Sequence, residues 1–327
     1  MSYPEGNFAP ITTDTNNYVT FSLSGDGYAL AAIQSQLNAE LDILPSNGAF
    51  GISVPGLAKL LQQTRDVQWI NDREVVLIQP DRIIRAAVDG SAQTETFNNP
   101  DVSFGPAAVC DGGRTIVAGM LSRETGNRIN IWRVGVDGSN LKRLTDGETE
   151  VFPLCWPGGK VFYYDDAKTN NCMRLSLEGG VPETVPCVAP PGSSVTGIQA
   201  VSRDGRLLAA SGNALDSATN IYNRKFAIKD VSSATATPVC LDADPRVSSQ
   251  VFCQFTPDGK ALVYAIRAEN NVDNLWLQPL DGKPGRPMTF FKSDQIHKFS
   301  WSPDGTELLV GRGHIESDIV LLRDVAK

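Results

Sequence analysis

Histidine is almost missing from this chain: 327 residues contain two, His297 and His314. A serine hydrolase needs a histidine to take the nucleophile's proton and a G-x-S-x-G turn to present the serine. That pentapeptide does not occur, and neither does H-E-x-x-H. A histidine-built metal site would also want a third ligand, so no metal and no cofactor is expected. Cysteine is sparse. Six residues, none in a C-x-x-C pair, leave zinc ribbons and thioredoxin-like motifs without support and imply no disulfide framework. Positive charge is in deficit, with 29 Lys and Arg against 37 Asp and Glu and a formal charge of −8. Nucleic acid, whose phosphates call for a basic face, is therefore not an expected partner. No apolar run approaches the ~18–20 residues that cross a bilayer, and the opening MSYPEGNFAPITTD has no basic-then-apolar signal pattern. Membrane insertion by this segment is not expected.

What the chain does have is repetition. Anchored on the turn of "SPDG", matching positions fall at Gly27, Arg73, Gly113, Gly159, Gly205, Gly259 and Gly305, spaced 46, 40, 46, 46, 54 and 46 residues apart. An apolar residue precedes each anchor by four: Leu23, Trp69, Val109, Cys155, Val201, Phe255 and Trp301. Glycine accepts positive φ at no steric cost, so each anchor reads as a tight hairpin. The apolar runs that follow, such as VFYY (161–164) and ALVY (261–264), read as strands covered on both faces. A third strand follows (INIWRVGVDG, 129–138), then a fourth (LKRLT, 141–145; ETVPC, 183–187; RPMTF, 286–290).

Repeats of four antiparallel strands, each buried against its neighbours, predict an all-β fold: a seven-bladed β-propeller forming one domain over residues 1–327. The last repeat lacks a fourth strand, and residues 8–13 (FAPITT) resemble one. They are expected to complete the last blade and remove its open edge. In the first repeat an insertion (45–58) precedes an expected fourth strand KLLQQT. In the fifth, SGNALDSATN (211–220) reads as a long loop between strands two and three.

The repeats resemble the PD40, or TolB-like (WD40-like), propeller repeat: aromatic-S-P-D-G-K, an apolar strand, N-[IL]-W, [VL]-D-G, then R-L-T. The clearest copies are 251–290, 298–324 and 129–146. The ending FSWSPDGTELLVGRGHIESDIVLLRD is similar to the C-terminus of propellers fused to bacterial membrane-anchored serine/threonine kinases. The second and fourth repeats depart from the pattern, with Arg73 for glycine and NCMRLSL lacking N-[IL]-W. The kinase glycine-rich loop, H-R-D and D-F-G do not occur in this chain. The resemblance implies a non-catalytic sensor or partner-binding module, not an enzyme. It would be the extracytoplasmic part of a kinase-like receptor or a TolB-like periplasmic scaffold, with a cytoplasmic location also compatible. A channel-site lyase or hydrolase needing a metal, or the propeller gate of a peptidase, is the alternative.

Loops of variable length on a rigid scaffold are where function is expected. Arg65, Arg123, Arg246, Arg267 and Arg312 fall in loops that the blade topology sends to one face, around the channel. With His297 and His314 they form a candidate rim site for a small anionic ligand or a protein, bound by a monomer. The bland readings are solvated charge for the arginines and structural roles for the histidines. Asp165 and Asp166 suggest a carboxylate pair, but adjacent strand residues point to opposite faces. The five tryptophans recur at repeat positions and read as blade packing. Asn- and Asp-rich stretches (13–17, 163–171, 268–274) have no EF-hand spacing and read as turns. If Leu177 faces Pro182, Cys172 faces Cys187 across a hairpin, a possible disulfide, with two reduced thiols as the alternative. Cys155 occupies the slot of Phe255 and Trp301 and reads as core.

Overall fold

The computed structural model describes residues 17–49, 51–126, 128–193, 198–216, 221–233, 235–248 and 253–323. The expected closing strand at 8–13 lies outside them. In chain order come β1 (Asn17–Leu23), β2 (Ala29–Pro45), β3 (Ile52–Ser53) and a short helix α1 (Pro55–Leu61). Five four-stranded antiparallel sheets follow. Blade 1 holds β4 (Asp66–Asn71), β5 (Glu74–Ile78), β6 (Arg82–Ala87) and β7 (Gln93–Asn98). Blade 2 holds β8 (Val102–Cys110), β9 (Thr115–Ser122), β10 (Ile129–Gly135) and β11 (Lys142–Arg143). Blade 3 holds β12 (Glu150–Cys155), β13 (Val161–Asp166), β14 (Asn171–Ser176) and β15 (Glu183–Val185). Blade 4 holds β16 (Ala200–Val201), β17 (Leu207–Asp216), β18 (Ile221–Asp230) and β19 (Val239–Asp242). Blade 5 holds β20 (Gln254–Phe255), β21 (Ala261–Arg267), β22 (Asp273–Pro279) and β23 (Arg286–Pro287). The chain ends in β24 (Gln295–Trp301) and β25 (Glu307–Arg323).

The fold is an all-β propeller of four-stranded antiparallel blades. Among the described residues, however, the seven anchors share six sheets. The strands around Gly27 and those around Gly305 belong to one sheet, in the order β1-β2-β25-β24, with β3 on β2. The cause is the length of β2. Its first half pairs with β1 (Leu23↔Leu30, Asn17↔Ser35), and its second half runs on to pair with β3 (Asp42↔Ser53). Blade 6 is therefore β24, β25, β2 and β3: two strands from late in the chain and two from early in it. Its third and fourth strands come from residues 39–53 rather than from a repeat of their own.

Two further expectations are corrected. KLL of the expected strand KLLQQT ends α1 instead, because Pro55 pre-sets the first turn and the spacing of Leu57 and Leu61 is helical; both leucines are buried against Leu41, Val67, Trp69 and Leu309. The expected loop at 211–216 is strand, paired residue for residue with 221–226 (Ser211↔Phe226, Asp216↔Ile221).

The chain divides into two compact units: Ala39–Gly313, and a smaller unit whose described residues are 17–38 and 314–323. The larger unit holds blades 1 to 5, with β24, β3 and the parts of β2 from Ala39 and of β25 up to Gly313. In the smaller, β1 leaves Val19, Phe21 and Leu23 exposed. The core of the larger unit lies between blades, as the two-sided apolar strands require. Phe162 and Tyr164 of β13 pack with Val117, Ile131 and Leu175 on one side of blade 3, while Tyr163 and Cys172 pack with Leu208 and Ala210 on the other.

Candidate functional site

The first strands of all six blades surround a cavity of about 830 Å³ at the end where each turns back into its second strand. Its wall carries Gln68, Trp156, Gln199, Gln254 and Trp301, and residues of the six anchor turns of these blades, from Asp72 to Gly305, form its edge. The six anchor glycines have positive φ (70–88°), and the aspartate before four of them locks the turn. Asp304 Oδ1, for example, accepts from Ser302 Oγ at 2.6 Å and Thr306 N at 2.9 Å. The same pair of bonds recurs at Asp26, Asp204 and Asp258, and these hydrogen bonds hold all four carboxyls below their usual range.

The charged groups on this edge are tied to the scaffold. Arg114 makes a two-pronged pair with Asp111 (3.1 and 2.7 Å). Asp72 Oδ1 accepts from Asp304 N at 2.9 Å, and Arg203 Nη1 donates to Asp304 O at 2.8 Å. On β24, by contrast, Ser300 Oγ and Trp301 Nε1 are buried with no hydrogen-bond partner among the described residues.

A disulfide joins Cys110 at the end of β8 to Cys155 at the end of β12, with Cα atoms 5.5 Å apart. Both line the cavity. Cys155 packs at its repeat slot as expected, but it is covalently bonded across two blades and is not a reduced core thiol. The clue available in the sequence was positional: Cys110 and Cys155 stand three and four residues before successive anchors, so adjacent blades bring them side by side. The Cys172–Cys187 disulfide is present, with Cα atoms 5.3 Å apart. Cys240 is exposed and free, and Cys253 is a buried free thiol whose pKa burial pushes up to about 12.

The expected rim cations sit away from this cavity and are mostly spoken for. Arg267 clamps the buried Asp273 (2.8 and 3.1 Å), whose Oδ2 also accepts from Ile296 N of the next blade. Arg246 pairs with Asp244 (2.8 and 2.9 Å) and lies over Trp276. Arg123 pairs with Asp101 at 3.0 Å. Arg312 is 9% exposed, donates to Asp42 Oδ2 at 2.6 Å, Glu40 Oε2 at 3.2 Å and Ser293 O at 3.2 Å, and stacks on Phe291. Arg65 is exposed, with no side-chain partner among the described residues. His297 is half-buried on β24 with Nε2 3.2 Å from Gly313 O. His314 lies exposed in the smaller unit, 3.4 Å from Glu316. Apart from Arg65, the rim arginines thus form separate clamps rather than one shared site.

A polar link that sequence reasoning missed stitches three blades together. Asp66, at the start of β4, accepts from Ala107 N of blade 2 at 3.0 Å and lies 2.9 Å from Lys298 Nζ of blade 6. Asp66 carries no motif, so tertiary placement alone reveals it. Asp165 and Asp166 do point to opposite faces. Asp166 caps its turn through Lys168 N and Thr169 Oγ1, whereas burial pushes the Asp165 carboxyl up to about 7. Asn170 and Asn271 adopt positive φ, as turn residues do. Among the described residues no group of three or more His, Cys, Asp or Glu is placed to hold a metal.

No family model matches the chain, and no curated protein matches it. Solved structures do. A putative TolB from Agrobacterium tumefaciens superposes with a TM-score of 0.57 at 15% identity, covering 85% of this chain and 99% of that one. TolB from Acinetobacter baumannii gives 0.55 at 15% identity over 92% of this chain and 68% of that one. An oligogalacturonate lyase in complex with manganese gives 0.56 at 12% identity, covering 91% and 96%. At these identities the likeness is one of fold: this chain has the fold of TolB-like β-propellers.

Proposed function

We propose that the protein is a non-catalytic binding module whose site is the channel cavity edged by the anchor turns. The observation that carries this is the wall itself. About 830 Å³ is framed by six first strands, and its charged edge groups are held by the scaffold. A wall that carries Trp156 and Trp301 beside Gln68, Gln199 and Gln254 suits a loop or extended segment of a protein partner. The rim arginines, each paired with an acid apart from Arg65, support an anionic small ligand less well. Two disulfides fit an oxidising, extracytoplasmic setting, and with the repeat's resemblance they favour a TolB-like scaffold or the sensor portion of a kinase-like receptor. The test is a photo-crosslinking residue at Arg203, on the cavity edge, compared with one at Val181, which is exposed on the outer rim of blade 3. Covalent capture of one protein from Arg203 and not from Val181 supports the reading. Equal capture from both positions, or turnover of pectate oligosaccharides with added manganese, overturns it in favour of nonspecific contact or the lyase alternative.

A further inference from the structure

The two disulfides differ in their surroundings: Asp111 beside Cys110 is ion-paired with Arg114, whereas the acid beside Cys172 is desolvated by burial. Cys172 of β14 is the cross-strand partner of Asp165 of β13, and directly opposed residues on one sheet face have Cβ atoms about 5 Å apart. Both point toward blade 4, where Cys172 packs with Leu208, Ala210 and Ala227. Cys172 is 1% exposed, while Cys187, in the segment after β15, is half-buried. Asp165 has no hydrogen-bond or ion-pair partner among the described residues. The charged and titratable groups on its own face are Tyr163 on β13, Arg174 on β14, which bonds to Tyr163, and Glu183 on β15. Glu150 of β12 and Asp166 lie on the opposite face, and the blade 4 surface packed here is apolar.

We propose that the Cys172–Cys187 disulfide is a thiol-exchange site, attacked at Cys187, with Asp165 as the group that carries the proton of Cys172. An external thiolate attacks the accessible Cys187 sulfur. The S–S bond breaks and its electron pair leaves on Cys172, so that the products are a mixed disulfide on Cys187 and a thiolate at Cys172. A thiolate in an apolar wall is costly, and the carboxylic proton of Asp165 moves to it, leaving Cys172 as a thiol and Asp165 as a carboxylate. A second external thiol releases Cys187 and completes a two-electron reduction, the external thiol being oxidised to its disulfide. Because burial keeps Asp165 protonated until about pH 7, the proton is available in mildly acidic to neutral conditions and is withdrawn above them.

The test uses the full-length protein and glutathione, with adduct sites and rates read by mass spectrometry between pH 5.5 and 8.5. Rate constants are expressed per glutathione thiolate. The expected results are a first adduct on Cys187 and a normalised rate that falls as pH rises through about 7. In Asp165→Asn the pH dependence should flatten and the rate at pH 6 drop about tenfold or more, while Cys110–Cys155, measured in the same sample, reacts as in wild type. A first adduct on Cys172, or an Asp165→Asn profile that matches wild type, overturns the proposal. Adduct mapping in wild type decides the direction of attack even if the variant folds poorly.

Discussion

At the scale of single residues, two acids behave oppositely because their surroundings differ. Asp42 is bonded to the nearly buried Arg312, which also reaches Glu40 and Ser293 O. Removing one partner of a buried pair leaves the other uncompensated, so Asp42→Ala should cost about 3–5 kcal/mol in urea unfolding. Glu40, whose side chain is 55% exposed, should cost at most about 1 kcal/mol when changed to Gln. Asp165 has no such partner, and its carboxyl titrates near 7 against an ordinary 3.8. The folded state thus holds this proton more tightly than the unfolded chain does. Its contribution to stability is fully present at low pH, declines as pH rises from about 4 to about 7, and is level above that. Asp165→Asn should raise the melting temperature at pH 8 and remove that part of the decline, as followed by thermal unfolding across the pH range.

At the scale of elements, the anchor turn is the recurring device, and its copies differ in what surrounds the glycine. Gly27 has φ +75° and open space where a Cβ would go, whereas Gly159 has φ +79° and a Cβ would meet Asp111 backbone atoms at 2.8 Å. Gly27→Ala should therefore cost about 1 kcal/mol, the left-handed penalty alone. Gly159→Ala should cost clearly more, since the backbone of the neighbouring blade must shift; denaturant midpoints of the two variants compare them directly. The second anchor dispenses with glycine: Asn71 Oδ1 accepts from Arg73 N at 2.9 Å and its amide donates to Glu74 at 2.8 Å. Side-chain bonds there close a hairpin that conformational freedom closes elsewhere.

At the scale of the whole molecule, the Cys110–Cys155 bond closes a 45-residue separation between blades, whereas Cys172–Cys187 closes 15 within one. On loop entropy the first is worth about 4 kcal/mol and the second about 3. The paired variant Cys110→Ser, Cys155→Ser should accordingly lose more stability than Cys172→Ser, Cys187→Ser in guanidinium unfolding. The repeat spacing and its glycine turns determined the four-stranded antiparallel blade, because turn chemistry and two-sided apolar runs are local properties that survive in any window of the chain. That Cys172 and Cys187 come together across one hairpin was legible for the same reason, but the register was not: Cys172 lies opposite Val185 rather than Cys187, two residues off the expected pairing of Leu177 with Pro182, and the disulfide reaches Cys187 just beyond β15. The chain could not show that β2 carries on from a partnership with β1 to become the third strand of the last blade, which left six sheets where seven anchors had suggested seven. Nor could it show that Arg312 is a clamp on Asp42 and Glu40, 270 and 272 positions earlier, or that Cys110 and Cys155 meet across blades. Those facts depend on which surfaces close against one another over long sequence separations, and only the tertiary packing decides that.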